Sequence, residues 1–178
     1  MNEDLVARAR RYAEHAHNAI DHRRKYSGRP YTEHLERVAA RVAQVTGDPV
    51  AVAAAWLHDV VEDTPSTHAE IEREFGPRVA ELVHALTDVE KDYGNRAVRK
   101  AADRDRLARA PALAHTVKLA DVIDNAEDIA DNDPHFARVF LKEMEALLDV
   151  LTRGDAQLRA EARAMHARVK ERLRSGRR

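Results

Sequence analysis

The 178-residue chain contains no cysteine. Disulfides and thiolate-bound zinc are thereby excluded, and any metal must be held by histidine and carboxylate side chains. Aromatic residues make up only 4% and there are only 6 glycines, while alanine, leucine, arginine and glutamate abound. That balance favours helices, and the expected fold is all-α. An excess of either charge is also missing: 30 Lys plus Arg oppose 31 Asp plus Glu, for a net charge of -1. General attraction to nucleic acid or to a membrane surface is not expected from such a balance. No apolar run is long enough to cross a bilayer. The start Met1-Asn2-Glu3-Asp4 lacks the basic and apolar segments of a signal peptide. No repeat, low-complexity tract or linker divides the chain, so residues 1–178 are expected to form one domain with a cytoplasmic location.

What is present is 44% apolar residues, 34% charged residues and 10 histidines. The densest polar intrusion into an apolar setting is Ala55-Trp56-Leu57-His58-Asp59-Val60-Val61-Glu62-Asp63-Thr64. A helix apolar nearly all round is a central one, and burying His58, Asp59, Glu62 and Asp63 there is costly without a compensating charge. A divalent cation is the simplest compensation. At helical spacing His58 stacks under Glu62 and Asp59 under Asp63. The first pair is then suited to an ion, the second to a water one turn on.

The surrounding pattern supplies partners. A helix over residues 3–22 leads into the basic loop His22-Arg23-Arg24-Lys25-Tyr26-Ser27-Gly28-Arg29-Pro30-Tyr31, whose cations suit phosphate oxygens and whose tyrosines can stack on a base. Thr32 is the expected N-cap of a helix to residue 45, with His34 at the edge of its apolar stripe. Gly47-Asp48-Pro49 restarts the chain for the helix over 49–63. Thr67 to Glu70 fits a capping box. The segment 87–100 reads as an exposed loop, and a basic helix follows it. Pro111 opens a helix in which Asp121 interrupts Val117-Lys118-Leu119-Ala120 and Val122-Ile123; Asn125 shares its face, and Asp128 is expected in solvent. A helical hairpin over 134–174 completes the chain, with a basic tail from Arg172 to Arg178 expected to fray.

In chain order the candidate ligands are His34, His58, Asp59 and Asp121. Two imidazoles and two carboxylates suit Mn²⁺, Fe²⁺ or Zn²⁺ better than Mg²⁺. Such an ion keeps positions for water and substrate, and Glu62 and Asp63 are placed to orient or deprotonate the water.

The order His…His-Asp…Asp resembles the HD-domain phosphohydrolase superfamily. Its context here is His22-Arg23-Arg24-Lys25, Gly28, Pro30-Tyr31, His34, Leu57 to Thr64, Phe75-Gly76, Leu82-Val83, Val117 to Asp121 and Asn125. Over residues 8–130 this is similar to the hydrolase domain of RelA/SpoT-type alarmone enzymes, and the length suits a stand-alone small alarmone hydrolase like the metazoan SpoT homologue. The resemblance implies a Mn²⁺-dependent enzyme that removes 3′-pyrophosphate from guanosine tetra- or pentaphosphate. It implies that His34, His58, Asp59 and Asp121 hold Mn²⁺ and that Glu62 and Asp63 handle the water. Arg24 and Lys25 would pack on the base, and Asn125 would lie near the ribose and its phosphate. Val122 stands where the family commonly has Lys or Arg, and Asp124 where it often has His or Tyr. Asp124 is expected to add negative charge where phosphates bind. The partner is thus a small-molecule nucleotide, with no nucleic acid or membrane, and a homo-oligomer is compatible. The alternatives are phosphohydrolysis of another nucleotide, such as 2′-phosphate removal from NADPH or a nucleotidase reaction, and a non-catalytic nucleotide or metal sensor.

Overall fold

The computed structural model describes residues 2–175 and, among them, contains α-helices, one short 3₁₀ turn and no strand. The first helix, α1 (Asn2–Ala19), stops short of residue 22. Asp21 adopts a left-handed φ of 49°, and the His22 N–H reaches back to the His17 carbonyl at 3.0 Å, a capping geometry that closes the last turn. The basic loop folds on itself through a bridge between Arg23 and Pro30. Helix α2 (Thr32–Val45) begins with Tyr31, not Thr32, at the N-cap position and with no side-chain cap bond. The Tyr31 hydroxyl is engaged elsewhere, donating to Asp59 at 2.6 Å.

The helix expected over 49–63 is interrupted. Helix α3 (Pro49–Leu57), capped by Asp48, is buried almost all round, and α4 (Val60–Asp63) is a single further turn. Between them His58 donates from Nδ1 to the Ala55 carbonyl at 2.8 Å, and Asp59 shifts to φ −100°, ψ −1°. The i to i+4 relation survives for Asp59, whose carbonyl accepts the Asp63 N–H at 2.9 Å. The break lets two successive side chains, His58 and Asp59, face the same point.

Helix α5 (His68–Phe75) carries the expected capping box, with Thr67 N–H donating to Glu70 at 2.8 Å and Glu70 N–H to Thr67 at 3.3 Å. Helix α6 (Pro77–Leu86) follows. The segment expected to be an exposed loop up to residue 100 is shorter and tethered. It holds a 3₁₀ turn (Lys91–Tyr93), and α7 (Arg96–Arg109) already starts at Arg96. Val89 N–H donates to Asp103 at 2.8 Å, and Asp88 is ion-paired with Lys100. Helix α8 (Ala112–Asn132) is the longest. Helix α9 (Pro134–Leu148), capped by Asp133, and α10 (Ala156–Ser175) form the expected hairpin, packed on each other and on α8. Of the basic tail, residues up to Ser175 are helical, and Gly176, Arg177 and Arg178 lie outside the described residues.

Helices α3 and α8 are the centre of the packing. Helix α3 touches α1, α2, α6 and α8, and α8 touches α2, α3, α6, α9 and α10. Their sequences explain this: α3 presents small and branched apolar residues on every side, and α8 buries Val117, Leu119, Ala120, Ile123 and Ala126. No helix among the described residues is long and apolar enough to cross a membrane.

The α9–α10 turn approaches α8 closely at Gly154. A Cβ there would lie 2.5 Å from Leu119 Cδ1 and 3.1 Å from the His115 backbone carbon. Leu119 is fully buried and has no room to yield. Gly154→Ala is expected to destabilise the fold by about 1–3 kcal/mol through overpacking, read as a lower urea midpoint with unchanged slope.

Candidate metal centre and cleft

Four of the residues singled out in the sequence converge where α2, the α3–α4 break and α8 meet. His34, His58 and Asp121 offer ligand atoms that all lie within 4.8 Å of one another. Asp121 Oδ1 is 3.4 Å from His34 Nε2 and 3.8 Å from His58 Nε2. Asp59 Oδ2 lies 3.0 Å from His58 Nε2 and 3.6 Å from His34 Nε2, and also accepts the Tyr31 hydroxyl. Both imidazoles are buried, and each commits Nδ1 elsewhere: His34 to Asp124 at 2.6 Å, His58 to the Ala55 carbonyl.

The two Nε2 atoms are buried with no partner in hydrogen-bonding geometry. With the proton on Nδ1, each presents a lone pair to carboxylate oxygens. Such an arrangement repels unless a positive charge lies between. In the protein alone, protons play that part. Burial opposes the charge on His34, but the adjacent carboxylates of Asp121, Asp124 and Asp59 outweigh it and push its pKa up to about 9. His58 is raised well above its usual value against the same burial, chiefly by Asp59. Asp121 is held well below the carboxylate range by Lys118, which pairs with it at 2.8 Å, and by the two imidazoles. A mixed N/O donor set around unsatisfied imidazole nitrogens fits a divalent transition metal, and the residues present therefore form a candidate His/Asp metal site.

Glu62 lies beside this cluster. Partial desolvation, then the charges of Asp59 and Asp88, raise its pKa to about 7. Its carboxylate accepts the Asp88 N–H at 3.2 Å. Glu62, Asp63 and Lys118 line the same cleft as Asp59 and Asp121, a concavity of about 660 Å³. A carboxylate with its pKa near neutrality next to a metal site is suited to take a proton from water.

The basic loop forms one wall of the cleft. Arg24 is buried and spans to α8, donating to Asn125 at 3.0 Å and Asp128 at 2.7 Å; Asn125 donates to Asp121 at 2.6 Å. Asp128 is thus paired rather than solvated. Lys25 is exposed, its ammonium 4.8 Å from the Tyr26 ring and 5.8 Å from the Phe136 ring. Asp124 does not face the cleft. It is 2% exposed and points at His34 and Arg37, so the charge expected among bound phosphates is turned away from them. Val122 does line the cleft.

Several contributors were not assigned from the sequence. Lys118, one turn before Asp121, is the counter-charge of the cluster; its i, i+3 spacing was a readable signal. Tyr31 holds Asp59, and its ring stacks on His22 at 4.0 Å between centroids, with His17 beyond. Helix α9 supplies Phe136, Phe140 and Lys142 to the far wall; Arg104, which joins them there, comes from α7, the basic helix that the sequence offers as a source of cations for phosphate. No local pattern marks a wall built by a helix so distant in sequence.

The family model for the HD domain matches residues 9–152. A GTP pyrophosphokinase rsh of Brucella ovis is 35% identical over 129 residues, covering 70% of this chain and 17% of the relative. The bifunctional (p)ppGpp synthase/hydrolase SpoT of Escherichia coli K12 is 39% identical over 91 residues, covering 51% of this chain and 13% of the relative. The chain thus spans less than a fifth of the length of these relatives. Among solved structures, a metazoan orthologue of SpoT that hydrolyses ppGpp superposes with a TM-score of 0.83 at 28% identity, covering 92% of this chain and 94% of the other. The lmo0812 protein of Listeria monocytogenes shares the fold, with a TM-score of 0.67 at 23% identity over 82% of this chain and 99% of the other.

A divalent cation at the cluster is expected to stabilise the fold by about 2.7 kcal/mol at a hundred times its Kd, a rise in melting temperature of roughly 5–10 °C. His58→Ala and Asp121→Ala should abolish the shift. Because the cation displaces protons held on His34 up to about pH 9, its affinity should climb as pH rises from 6 to 9. Calorimetry at several pH values checks this; an affinity independent of pH would contradict it.

Proposed function

Because the chain belongs to the HD-domain family, we propose that it is a metal-dependent phosphohydrolase that removes pyrophosphate from the 3′ position of guanosine tetra- or pentaphosphate. The observation that carries this reading is the pair of buried, unpartnered imidazole nitrogens facing carboxylates at the floor of a cation-lined cleft. The likeness to a metazoan ppGpp hydrolase over nearly the whole chain, and to SpoT over half of it, supports the substrate. Residues 1–178 are read as one domain, and a cytoplasmic setting belongs to the same proposal.

His34, His58, Asp59 and Asp121 would hold the cation, and Mn²⁺ is one of the ions that suit the mixed donor set. When bound, such a cation supplies Lewis-acid polarisation of a phosphoryl oxygen and a lowered pKa for water. Glu62, with its pKa near neutrality, takes the proton of the attacking water, and Asp63 orients that water. Lys118 stays protonated, its pKa raised against burial by Asp121 and Asp88. It therefore neutralises charge at the reacting phosphoryl group without acting as a base. Arg104 and Lys142, on the opposite wall, are suited to the remaining phosphates.

The base-packing role divides between the loop cations. Lys25, exposed beside two aromatic rings, offers the stacking surface, while Arg24 is a strut that fixes Asn125 toward the ribose.

Purified protein incubated with Mn²⁺ and a panel including guanosine tetraphosphate and NADPH is expected to release pyrophosphate from the former. Release of monophosphate alone, or from NADPH alone, would overturn the substrate assignment. Glu62→Gln should keep Mn²⁺ binding and lower kcat by about 10²–10⁴-fold; full turnover would remove its role. Lys25→Ala and Arg24→Ala should raise KM by roughly tenfold with a smaller change in kcat, and an unchanged KM would take the loop out of the site.

A further inference from the structure

His34 is gripped from both ends by one face of α8. Asp121 and Asp124 are three residues apart, so their side chains leave the helix on the same side. Asp121 Oδ1 lies 3.4 Å from His34 Nε2, and Asp124 Oδ2 lies 2.6 Å from His34 Nδ1. Asp124 is itself clamped. Arg37, one turn after His34 on α2, donates from Nε to Oδ1 at 2.5 Å and from Nη2 to Oδ2 at 3.0 Å. Arg24 Nη2 is a further 3.7 Å from Oδ2. A carboxylate with both oxygens engaged by charged groups has little freedom to turn.

We propose that Asp124 is a positioning residue for the metal centre, fixing the tautomer and orientation in which His34 presents Nε2 to the cation. This rests on the reading of His34 as a metal ligand. A hydrogen-bonded carboxylate on the remote nitrogen of a ligand imidazole holds the ring and strengthens it as a donor. The two imidazoles are thereby made unequal. His58 donates its Nδ1 proton to a neutral carbonyl, that of Ala55, whereas His34 donates to a full negative charge. Asp124 has no competing role in the cleft, which it does not line. Nor does a plain ion pair with Arg37 require a bond to His34. Arg37 holds the carboxylate in place from the protein surface, with its own side chain 44% exposed.

The test compares metal-stripped wild type, Asp124→Asn and Arg37→Met for Mn²⁺ affinity by calorimetry, and for unfolding in urea with chelator. Both variants lose the ion pair and should lose comparable stability. Asp124→Asn should bind Mn²⁺ weakly, by roughly 10–100-fold, while Arg37→Met, which keeps a carboxylate on His34 Nδ1, should lose distinctly less. Wild-type affinity in Asp124→Asn, or equal losses in the two variants, would overturn the proposal and leave Asp124 a structural ion pair. Absence of Mn²⁺ binding by wild type would overturn the ligand reading itself, a separable result. Should Asp124→Asn fail to fold, the ¹⁵N spectrum of the Zn²⁺-loaded wild type decides. His34 protonated on Nδ1 and coordinated through Nε2 is expected, and a proton on Nε2 would refute it.

Discussion

Two imidazole lone pairs and two carboxylates pointed at one spot cannot share a dry interior without a positive charge between them. That constraint explains much of the surrounding structure. It accounts for the raised pKa of both buried histidines, and for Lys118 beside Asp121. It accounts for the hydroxyl of Tyr31 on Asp59 and the guanidinium pairing of Asp124. A divalent cation would satisfy the same demand more completely than a proton, because one ion binds several donors at once. The cluster is costly to assemble, and the large apolar contact of α3 and α8 with their neighbours offsets that cost.

The fold supplies the geometry through a small departure from regularity. A continuous helix would have sent His58 and Asp59 off at about 100° to one another. The break after Leu57 brings both to the same point while the apolar residues of α3 keep the backbone fixed behind them. Helix α8 contributes the opposing surface, with Asp121, Asp124, Asn125 and Asp128 spread along one and a half to two turns. Each of these is held by a cation: Asp121 by Lys118, Asp124 by Arg37, and Asn125 and Asp128 both by Arg24. The walls come from elements far apart in sequence, the basic loop on one side and α7 and α9 on the other. Closure of the cleft by cations around an acidic floor suits a substrate that carries several phosphates.

Legibility in the sequence follows the range of the interaction concerned. Asp48-Pro49 and Thr67 with Glu70 were readable as helix starts because a cap is decided within four residues. The polar residues of the centre stood out because each interrupts an apolar run, and that contrast is local too. The break at His58 was hidden, since periodicity alone does not show a side chain bonding its own backbone three residues back. The partners of Asp124 and Asp128 were hidden for a different reason. Arg37 and Arg24 lie on other elements, and only the packing of α2 and the loop against α8 brings them within reach. A charge read as solvated, Asp128, and one read as facing phosphate, Asp124, are in both cases one end of a long-range pair, partly buried in the first and buried in the second.

His34, His58, Asp59 and Asp121 are proposed to enclose one divalent cation. Anomalous diffraction from crystals soaked with Mn²⁺ tests it most directly. A single strong peak is expected between His34 Nε2, His58 Nε2 and the carboxylates of Asp59 and Asp121. A peak at any other place, or imidazole Nε2 atoms bonded to water with no peak between them, would contradict it.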